Sequence, residues 1–174
     1  IPFPDYSQVQ FDRYRNPLLK RLSRLPRSKV DGKDIYLYRQ AEIFSSRGCP
    51  YTCGFCAVSA FLSRTIRYRS PTNVVDEMEL LVRDFGVRYF DFGDPIFTID
   101  LERSKTIAEE IMNRGLDVRF QASTRIDRLN PDMLKALKEA GCLVLNFGIE
   151  SGSPEMRRAM HKELSDEKIR EGIS

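Results

Sequence analysis

Residues 70–94 read SPTNVVDEMELLVRDFGVRYFDFGD, and this stretch predicts a helix followed directly by a buried strand. Ser70 suits the N-cap of a helix, and Pro71 suits its first turn. Gly86 marks the end of the helix, and residues 87–94 are predicted to form the strand. The helix itself is predicted from apolar side chains that recur with its period: Val74, Val75, Met78, Leu81, Val82 and Phe85.

The same order of strand and helix repeats along the rest of the chain. Strands that alternate with helices of this length predict βαβ units and a parallel sheet. Right-handed crossovers curl such a sheet into a barrel or part of one. The sequence therefore predicts an α/β fold, a partial (β/α) barrel with about four parallel strands and outer helices. The predicted strands are residues 41–46, 87–94, 118–126 and 143–151; the other predicted helices are residues 101–113, one from Asn130 to Gly141, and one that opens at Ser153 and restarts at Ser165.

The third and fourth predicted strands each have one apolar and one polar face. A closed barrel packs bulky apolar side chains into its centre, so polar inner faces predict an open barrel whose lumen binds a cofactor and a substrate. The alternative is a sheet with one solvated face, although parallel sheets are usually covered on both sides. The polar residues predicted to share one cavity are Gln121, Ser123, Arg125, Asn146 and Glu150; those predicted to pack against the helices are Phe120, Leu145, Phe147 and Ile149.

Residues 1–40 show no sustained period and are predicted to form a basic, proline-containing connector, with one short helix near Asn16-Pro17-Leu18-Leu19. They hold nine Lys and Arg residues against four Asp and Glu residues. Such a charge could contact nucleic acid, but no aromatic platform or recognition motif accompanies it. A solvated connector, or a surface that docks on a partner domain, is therefore favoured. Because residues 1–4 carry no initiating Met, we expect the sequence to be a piece of a longer protein.

The composition is that of a globular protein with one core, since 41% of the 174 residues are hydrophobic and 30% are charged. No apolar run approaches the ~20 residues that a membrane span needs. The first residues lack the basic and apolar regions of a signal peptide. Three of the four cysteines are clustered, unlike those of a disulfide-stapled secreted domain. These features predict a cytoplasmic protein without a membrane span.

The clustered cysteines follow the first predicted strand in the run SRGCPYTCGFC, residues 46–56. Cys49, Cys53 and Cys56 have C-x3-C-x2-C spacing, and thiolates are soft ligands that suit iron–sulfur clusters and zinc. Three thiolates on one short loop can hold three corners of a 4Fe–4S cluster. The fourth iron then stays open to a substrate or cofactor, which is typical of a catalyst rather than an electron carrier.

A structural zinc module is the alternative for this loop, and it would need a fourth ligand. Cys142 and His161 are the candidates for that ligand. Each has another explanation, because Cys142 is expected to be a small buried residue and His161 a surface residue of a helix.

The cysteine spacing resembles the signature loop of the radical S-adenosylmethionine (radical SAM) enzymes, so residues 41–174 are expected to form the N-terminal part of a truncated radical SAM barrel. Phe92-Gly93-Asp94-Pro95 stands where that family has a Gly-Gly-Glu-like motif, although it is divergent here. Further motifs look like those of the cobalamin-associated branch: Pro2-Phe3-Pro4-Asp5-Tyr6, Arg69-Ser70-Pro71 with Val74, Val75 and Glu77, Asp94-Pro95-Ile96-Phe97-Thr98, Thr124-Arg125-Ile126-Asp127 and Gly148-Ile149-Glu150-Ser151-Gly152-Ser153.

The resemblance implies a radical SAM enzyme core with a 4Fe–4S cluster and S-adenosylmethionine (SAM) as cofactors. In that family one electron from the cluster cleaves SAM to a 5′-deoxyadenosyl radical. The resemblance implies Cys49, Cys53 and Cys56 as metal ligands and Phe55, Gly93, Asp94, Arg125 and Glu150 as cofactor-binding residues.

These implied SAM contacts differ in kind. The backbone of Phe55 would contact the adenine, and the Gly93–Asp94 region the methionine amino group. Glu150 would lie near the ribose and the methionyl end. Arg125 could equally be structural, paired with Asp127 or with Asp94.

The sequence departs from the family in two ways. Four strands are predicted where the family barrel has six, and the Asp-x-His-x-x-G motif that binds cobalamin is absent. The resemblance therefore implies cobalamin in the parent protein, held by an upstream domain. It also implies an electron donor such as flavodoxin or ferredoxin, and a small-molecule substrate for methyl transfer or anaerobic cyclisation or oxidation. The other enzyme considered is a methylthiotransferase, which needs three further cysteines that this chain lacks.

Overall fold

The structure, a computed structural model, describes residues 2–14, 17 and 19–173. Its strands are β1 (Lys29–Val30), β2 (Lys33–Asp34), β3 (Arg39–Ile43), β4 (Ser46–Arg47), β5 (Arg67–Tyr68), β6 (Val87–Phe92), β7 (Arg119–Thr124) and β8 (Cys142–Phe147). Its helices are α1 (Leu19–Leu22), α2 (Val58–Leu62), α3 (Pro71–Phe85), α4 (Leu101–Asn113), α5 (Pro131–Glu139), α6 (Pro154–Ala159) and α7 (Asp166–Ile173). Single turns of 3-10 helix lie at Tyr6–Gln8, Phe11–Arg13, Ile35–Leu37, Phe97–Ile99 and Ile126–Arg128.

The central sheet has the strand order β3-β6-β7-β8 and is parallel throughout. Parallel neighbours need a crossover connection, and α3, α4 and α5 supply the crossovers between successive strands of this sheet. The predicted α/β fold, with about four parallel strands and outer helices, is therefore confirmed. Two short antiparallel pairs, β1 with β2 and β4 with β5, lie outside the sheet.

The helices lie close to their predicted positions because local capping defines their ends. The Ser70 side chain accepts a hydrogen bond from the backbone N–H of Asn73 and so caps α3. Asp100 and Asn130 cap α4 and α5 in the same way. The predicted restart after α6 is the separate helix α7.

The strands are shorter than predicted at their carboxyl ends. β7 ends at Thr124 and β8 at Phe147, so Arg125 and Glu150 both follow their strands rather than belonging to them. The alternation of side chains along a strand therefore does not determine where these two residues point.

The first predicted strand, residues 41–46, is split in two. β3 ends at Ile43, and β4 turns away to pair antiparallel with β5. The buried carboxylate of Asp94 accepts hydrogen bonds from Ser45 and Ser46, which draws these residues out of the sheet.

The apolar face of the sheet packs against α3, α4 and α5, as predicted. Phe90, Phe92, Phe120 and Ala122 lie on this face, and Leu145 packs against the same core. Burial of each such large side chain is worth about 1.5–3 kcal/mol. The helix residues that complete the core include Met78, Leu81, Ile107, Ile111 and Leu137. Phe147, which was predicted to pack against the helices, is instead 37% exposed, because it lies at the end of an edge strand.

The opposite, inner face of the sheet carries hydrogen-bonded polar groups. The Tyr89 hydroxyl donates to Oε1 of Gln121 at 2.9 Å, and Nε2 of Gln121 donates to Asp91 at 2.5 Å. Burial raises the pKa of Asp91, and the hydrogen bond from Gln121 partly offsets this rise. In the strand register, Ser123 of β7 lies opposite Asn146 of the neighbouring strand β8. The polar inner face predicted from the sequence is thus present, although Gln121 is engaged by Tyr89 and Asp91.

The N-terminal residues, predicted to be a connector, instead cover the amino-terminal end of this inner face. Leu19, Val30 and Ile35 form a buried cluster with Tyr89, and Leu143 packs against it. The predicted short helix corresponds to α1, while Asn16 and Leu18 lie outside the described residues. Arg119 contributes further contacts by donating to the backbone carbonyls of Arg27 and Lys29. The inner face is therefore closed at the end opposite the cysteine loop. Within the described part of the chain, no helix combines the length and apolar character needed to cross a membrane.

Arg69 and Glu77 tie α3 to the carboxyl end of β3. Nη1 of Arg69 lies 2.5 Å from Oε2 of Glu77 and also donates to the backbone carbonyl of Phe44 at 2.9 Å. The Glu77 side chain is 4% exposed and also accepts a hydrogen bond from the Tyr6 hydroxyl. Removing one partner of such an ion pair is destabilising, because the other partner loses its opposite charge.

Replacing Glu77 by Ala should lower the free energy of unfolding by about 1–3 kcal/mol, because the Tyr6 hydroxyl and the Arg69 guanidinium both lose the buried carboxylate as an acceptor. Urea denaturation followed by circular dichroism measures the change. Glu79→Ala is the matched control, since Glu79 lies on the same helix, is 48% exposed and pairs with Arg114. The control should lose about 0–1 kcal/mol, and equal losses in the two variants would contradict a structural role for the buried pair.

Candidate functional site

The cysteine loop starts from a firmly held base at the carboxyl edge of the sheet. The Asp94 carboxylate accepts hydrogen bonds from the Ser45 N–H at 3.0 Å, from the Ser45 hydroxyl at 2.9 Å and from the Ser46 hydroxyl. Arg103 donates to the carbonyl oxygens of Ser45 and Arg69, at 2.5 Å and 2.9 Å. The side chain of Asp94, predicted to lie in the SAM-binding region, is thus engaged in anchoring the loop.

The loop itself depends on a glycine directly before the first cysteine. Gly48 has a φ of 109°, and a Cβ atom there would overlap the carbonyl oxygen of Thr65. The N–H of Cys49 donates to the carbonyl of Ser63 at 3.1 Å, which fixes the start of the loop. All three cysteines of the loop are free and half-buried: Cys49, Cys53 and Cys56.

The turn between α6 and α7 lies against this loop. The N–H of Gly54 donates to the carbonyl of Met160 at 2.8 Å. Nζ of Lys162 lies 5.9 Å from the centre of the Phe55 ring and 3.5 Å from Oε1 of Glu150. Residues that are about a hundred positions apart in the sequence therefore meet at one site.

His161 belongs to the same turn, and its predicted place on a helix is wrong. α6 ends at Ala159, and His161 follows with a φ of 54°. It is exposed, as predicted, but it lies beside Gly54 of the cysteine loop. The sequence could not predict this contact from periodicity, because the residues of a turn between two helices have no regular apolar pattern.

Arg157 holds that turn to the end of β8. Its guanidinium is buried and donates to the carbonyls of Leu164 at 2.9 Å and Ser151 at 2.7 Å, and to the carboxylate of Asp166. Arg157 was not predicted from the sequence, where its only signal is an arginine in the middle of a short helix.

Glu150 lies where the chain reverses after β8. It has a φ of 69°, and its side chain is 34% exposed. Its carboxylate folds back over Gly148, where a Cβ atom would overlap Oε1. The glycine therefore makes room for the carboxylate that meets Lys162.

Arg125 is packed against the cysteine loop. Nε and Nη2 donate to Asp127 at 2.9 Å and 3.0 Å, and Nη2 also donates to the carbonyl of Glu163 at 2.7 Å. The guanidinium carbon lies 3.9 Å from the centre of the Tyr51 ring. Of the two pairings considered for Arg125, the structure has the one with Asp127. Arg128 binds the other side of Tyr51 by donating to its hydroxyl at 3.0 Å.

The pKa values of Cys49 and Cys142 are both raised, but in different surroundings. Burial raises the pKa of Cys49, as do the neighbouring Cys53 and Cys56, whereas the Tyr51 N–H and the Arg125 charge oppose the rise. Burial raises the pKa of Cys142 to about 12. The Cys142 thiol donates to the carbonyl of Val144, and the residue is partly buried against the main core rather than fully buried as the sequence predicted.

The donor set at the loop fits an anionic iron–sulfur cluster. Three free thiols lie on one loop, and Nη1 of Arg125 is a buried donor that has no partner among the described residues. A buried donor left without an acceptor costs about 1–3 kcal/mol, so an anion with sulfur acceptors suits this position. Within the described ranges, no three side chains of His, Cys, Asp or Glu are grouped closely enough to hold a single metal ion, so the fit to a cluster is argued from the three thiols on one loop and from the Arg125 donor.

Comparison with curated proteins finds relatives over most of this chain. An uncharacterized methyltransferase of Pyrococcus horikoshii is 32% identical over 165 residues, which cover 95% of this chain and 32% of that protein. An anaerobic magnesium-protoporphyrin IX monomethyl ester cyclase of Cereibacter sphaeroides is 34% identical, over 74% of this chain and 21% of that protein. The chain thus spans about a third or less of the length of these relatives.

Solved structures share the fold at low sequence identity. The radical SAM methyltransferase TsrM from Kitasatospora setae, with tryptophan and a SAM analogue bound, matches with a TM-score of 0.70 and 22% identity, over 87% of this chain and 31% of that one. The cobalamin-dependent radical enzyme OxsB, with aqua-cobalamin bound, matches with a TM-score of 0.61 and 21% identity, over 73% of this chain and 20% of that one.

The radical SAM superfamily profile matches residues 43–174. This range begins at the last residue of β3 and includes the cysteine loop, the three crossover helices and the turn that lies on the loop. Because the match covers most of the chain and agrees with the resemblance that the motifs carry, this chain belongs to the radical SAM superfamily.

Proposed function

We propose that this chain is the core of a radical SAM enzyme in which Cys49, Cys53 and Cys56 hold a 4Fe–4S cluster. The observation that carries the proposal is three free thiols on one loop at the carboxyl edge of a parallel sheet. In α/β barrels the carboxyl ends of the strands form the active site. The cluster and SAM supply the radical chemistry when bound, and the protein supplies binding and orientation.

We assign SAM binding to the residues around the loop. Phe55 is half exposed on the loop, which suits a backbone contact with the adenine. The Asp94 side chain is engaged by the two serines, so the Gly93–Asp94 region would act through its backbone. Glu150 is partly exposed beside Lys162, and its carboxylate can accept hydrogen bonds from a ribose.

We further propose methyl transfer as the reaction, with anaerobic cyclisation or oxidation as the second candidate. Relatives described as methyltransferases and as an anaerobic cyclase support both. Cobalamin would be bound by a domain upstream of this chain in a longer protein. The match covers only 32% of the Pyrococcus horikoshii relative, which is consistent with a further domain. A one-electron donor, a small-molecule substrate and a cytoplasmic location complete the proposal.

Anaerobic reconstitution of the full-length protein that contains this chain should yield one 4Fe–4S cluster at this loop. Cys49→Ala, Cys53→Ala and Cys56→Ala should each reduce bound iron and sulfide to near background, because two thiolates hold a cluster poorly. Iron and sulfide analysis with electron paramagnetic resonance (EPR) of the reduced protein measures the effect.

Cys142→Ala is the matched control for these variants, since that thiol packs in the main core. It should leave the iron and sulfide content unchanged. Stoichiometric zinc without a cluster signal, or loss of the cluster in the Cys142 variant, would contradict the proposed ligands.

Adding SAM should change the EPR spectrum of the reduced cluster, because the fourth iron has no protein ligand in this proposal. The measurement compares the full-length protein with and without saturating SAM. S-adenosylhomocysteine, which lacks the sulfonium methyl group, controls for occupancy without cleavage. An unchanged spectrum with SAM would remove the SAM-binding role.

Glu150→Gln should slow SAM cleavage by the full-length protein while leaving cluster content and thermal stability nearly unchanged. The reason is that Gln has the same size as Glu and keeps an oxygen that can accept a hydrogen bond from Lys162, so the buried lysine retains a partner. Chromatography of 5′-deoxyadenosine measures the cleavage. Glu155→Gln, on the exposed side of α6, is the control. A large loss of stability with normal cleavage would instead place Glu150 in the structural framework.

A further inference from the structure

Arg125 has a buried N–H group that the protein leaves without an acceptor. The residue is 4% exposed, and its other guanidinium nitrogens donate to Asp127 and to the carbonyl of Glu163. Nη1 alone is buried with no hydrogen-bond partner among the described residues. Folded proteins rarely leave a buried polar group unpaired, and each exception calls for an explanation such as a bound ion.

The guanidinium is fixed in place rather than free to search for a partner. Asp127 and the Glu163 carbonyl hold two of its nitrogens, and the Tyr51 ring lies against its plane at 3.9 Å. Tyr51 is two residues from both Cys49 and Cys53, so this packing sets the positive charge against the cysteine loop.

We infer that Nη1 of Arg125 donates a hydrogen bond to a sulfur atom of the cluster held by Cys49, Cys53 and Cys56, and that Arg125 thereby raises the cluster's reduction potential. This inference rests on the proposed function and assigns Arg125 to the cluster instead of to SAM. Reduction adds an electron to an anionic group, so a fixed cationic donor stabilises the reduced form more than the oxidised form. Hydrogen bonds to sulfur and local charge are among the factors that set iron–sulfur potentials.

The test is an anaerobic redox titration of the full-length protein, without SAM, monitored by EPR. In Arg125→Gln we expect the ratio of reduced to oxidised cluster at a given potential to fall at least tenfold. For a one-electron couple this corresponds to a midpoint about 59 mV more negative. Arg128→Gln is the matched control, because Arg128 also contacts Tyr51 but has an acceptor in its hydroxyl. Its midpoint should equal that of the unmodified protein.

The outcomes separate this inference from the proposed function. An unchanged midpoint in Arg125→Gln, with full iron and sulfide content, overturns the inference and leaves the cluster proposal intact. Equal shifts in both variants also overturn it, because they would reflect general surface charge. Failure of the unmodified protein to assemble a cluster would instead remove the proposed function.

A second measurement keeps the inference testable if Arg125→Gln fails to fold. Unmodified protein labelled with ¹⁵N-arginine should show a nitrogen hyperfine coupling to the reduced cluster in pulsed EPR. The labelled Arg128→Gln variant should keep that coupling. Absence of the coupling in the unmodified protein overturns the inference without any substitution at Arg125.

Discussion

The Asp94 carboxylate is the contact on which the site depends, because it links the end of one strand to the start of the cysteine loop. It follows β6 directly and binds both serines after β3, the neighbouring strand. Those serines leave the sheet in consequence, and the chain runs on into the β4–β5 hairpin that encloses the cysteines. Arg103 of α4 donates to the carbonyl of Ser45, so the start of the loop is held by contacts with α4 as well as with the end of β6. A loop that must present three thiols at fixed places needs a base of this kind.

The inner face of the sheet shows how the remaining volume is divided. The N-terminal residues around Val30 and Ile35 close its amino-terminal end, and its carboxyl end lies next to the cysteine loop. Tyr89, Gln121 and Asp91 form a hydrogen-bonded row between the two. An open cavity on the β3 side, whose lining includes Glu42, Tyr89 and Asp91, also reaches this row.

How much the sequence could predict depends on the range of the interaction involved. Helix ends follow from local caps such as Ser70 and Asn130, so α3 and α5 were predictable from a few neighbouring residues. The grouping of the three loop thiols follows equally from their spacing. The packing of Cys142 against the core follows from its apolar neighbours. Alternation correctly assigned Phe120 and Leu145 to the helix side, since both lie within regular strands. It could not assign Arg125 or Glu150, because each follows the end of its strand and is oriented by residues 162–163, far along the chain.

The turn after α6 binds the cysteine loop and Arg125 through main-chain atoms: the carbonyl of Met160 accepts from the Gly54 N–H, and the carbonyl of Glu163 accepts from Arg125. A carbonyl oxygen is the same whatever side chain the residue carries. Evolution can therefore exchange the side chains at these two positions while the contact persists, provided that the backbone keeps its path. Lys162 and Arg157 have no such freedom, because their contacts are made by the side chains themselves. We therefore expect the side chains of Met160 and Glu163 to vary among relatives, while Lys162 and Arg157 are retained and the backbone of the turn keeps its path.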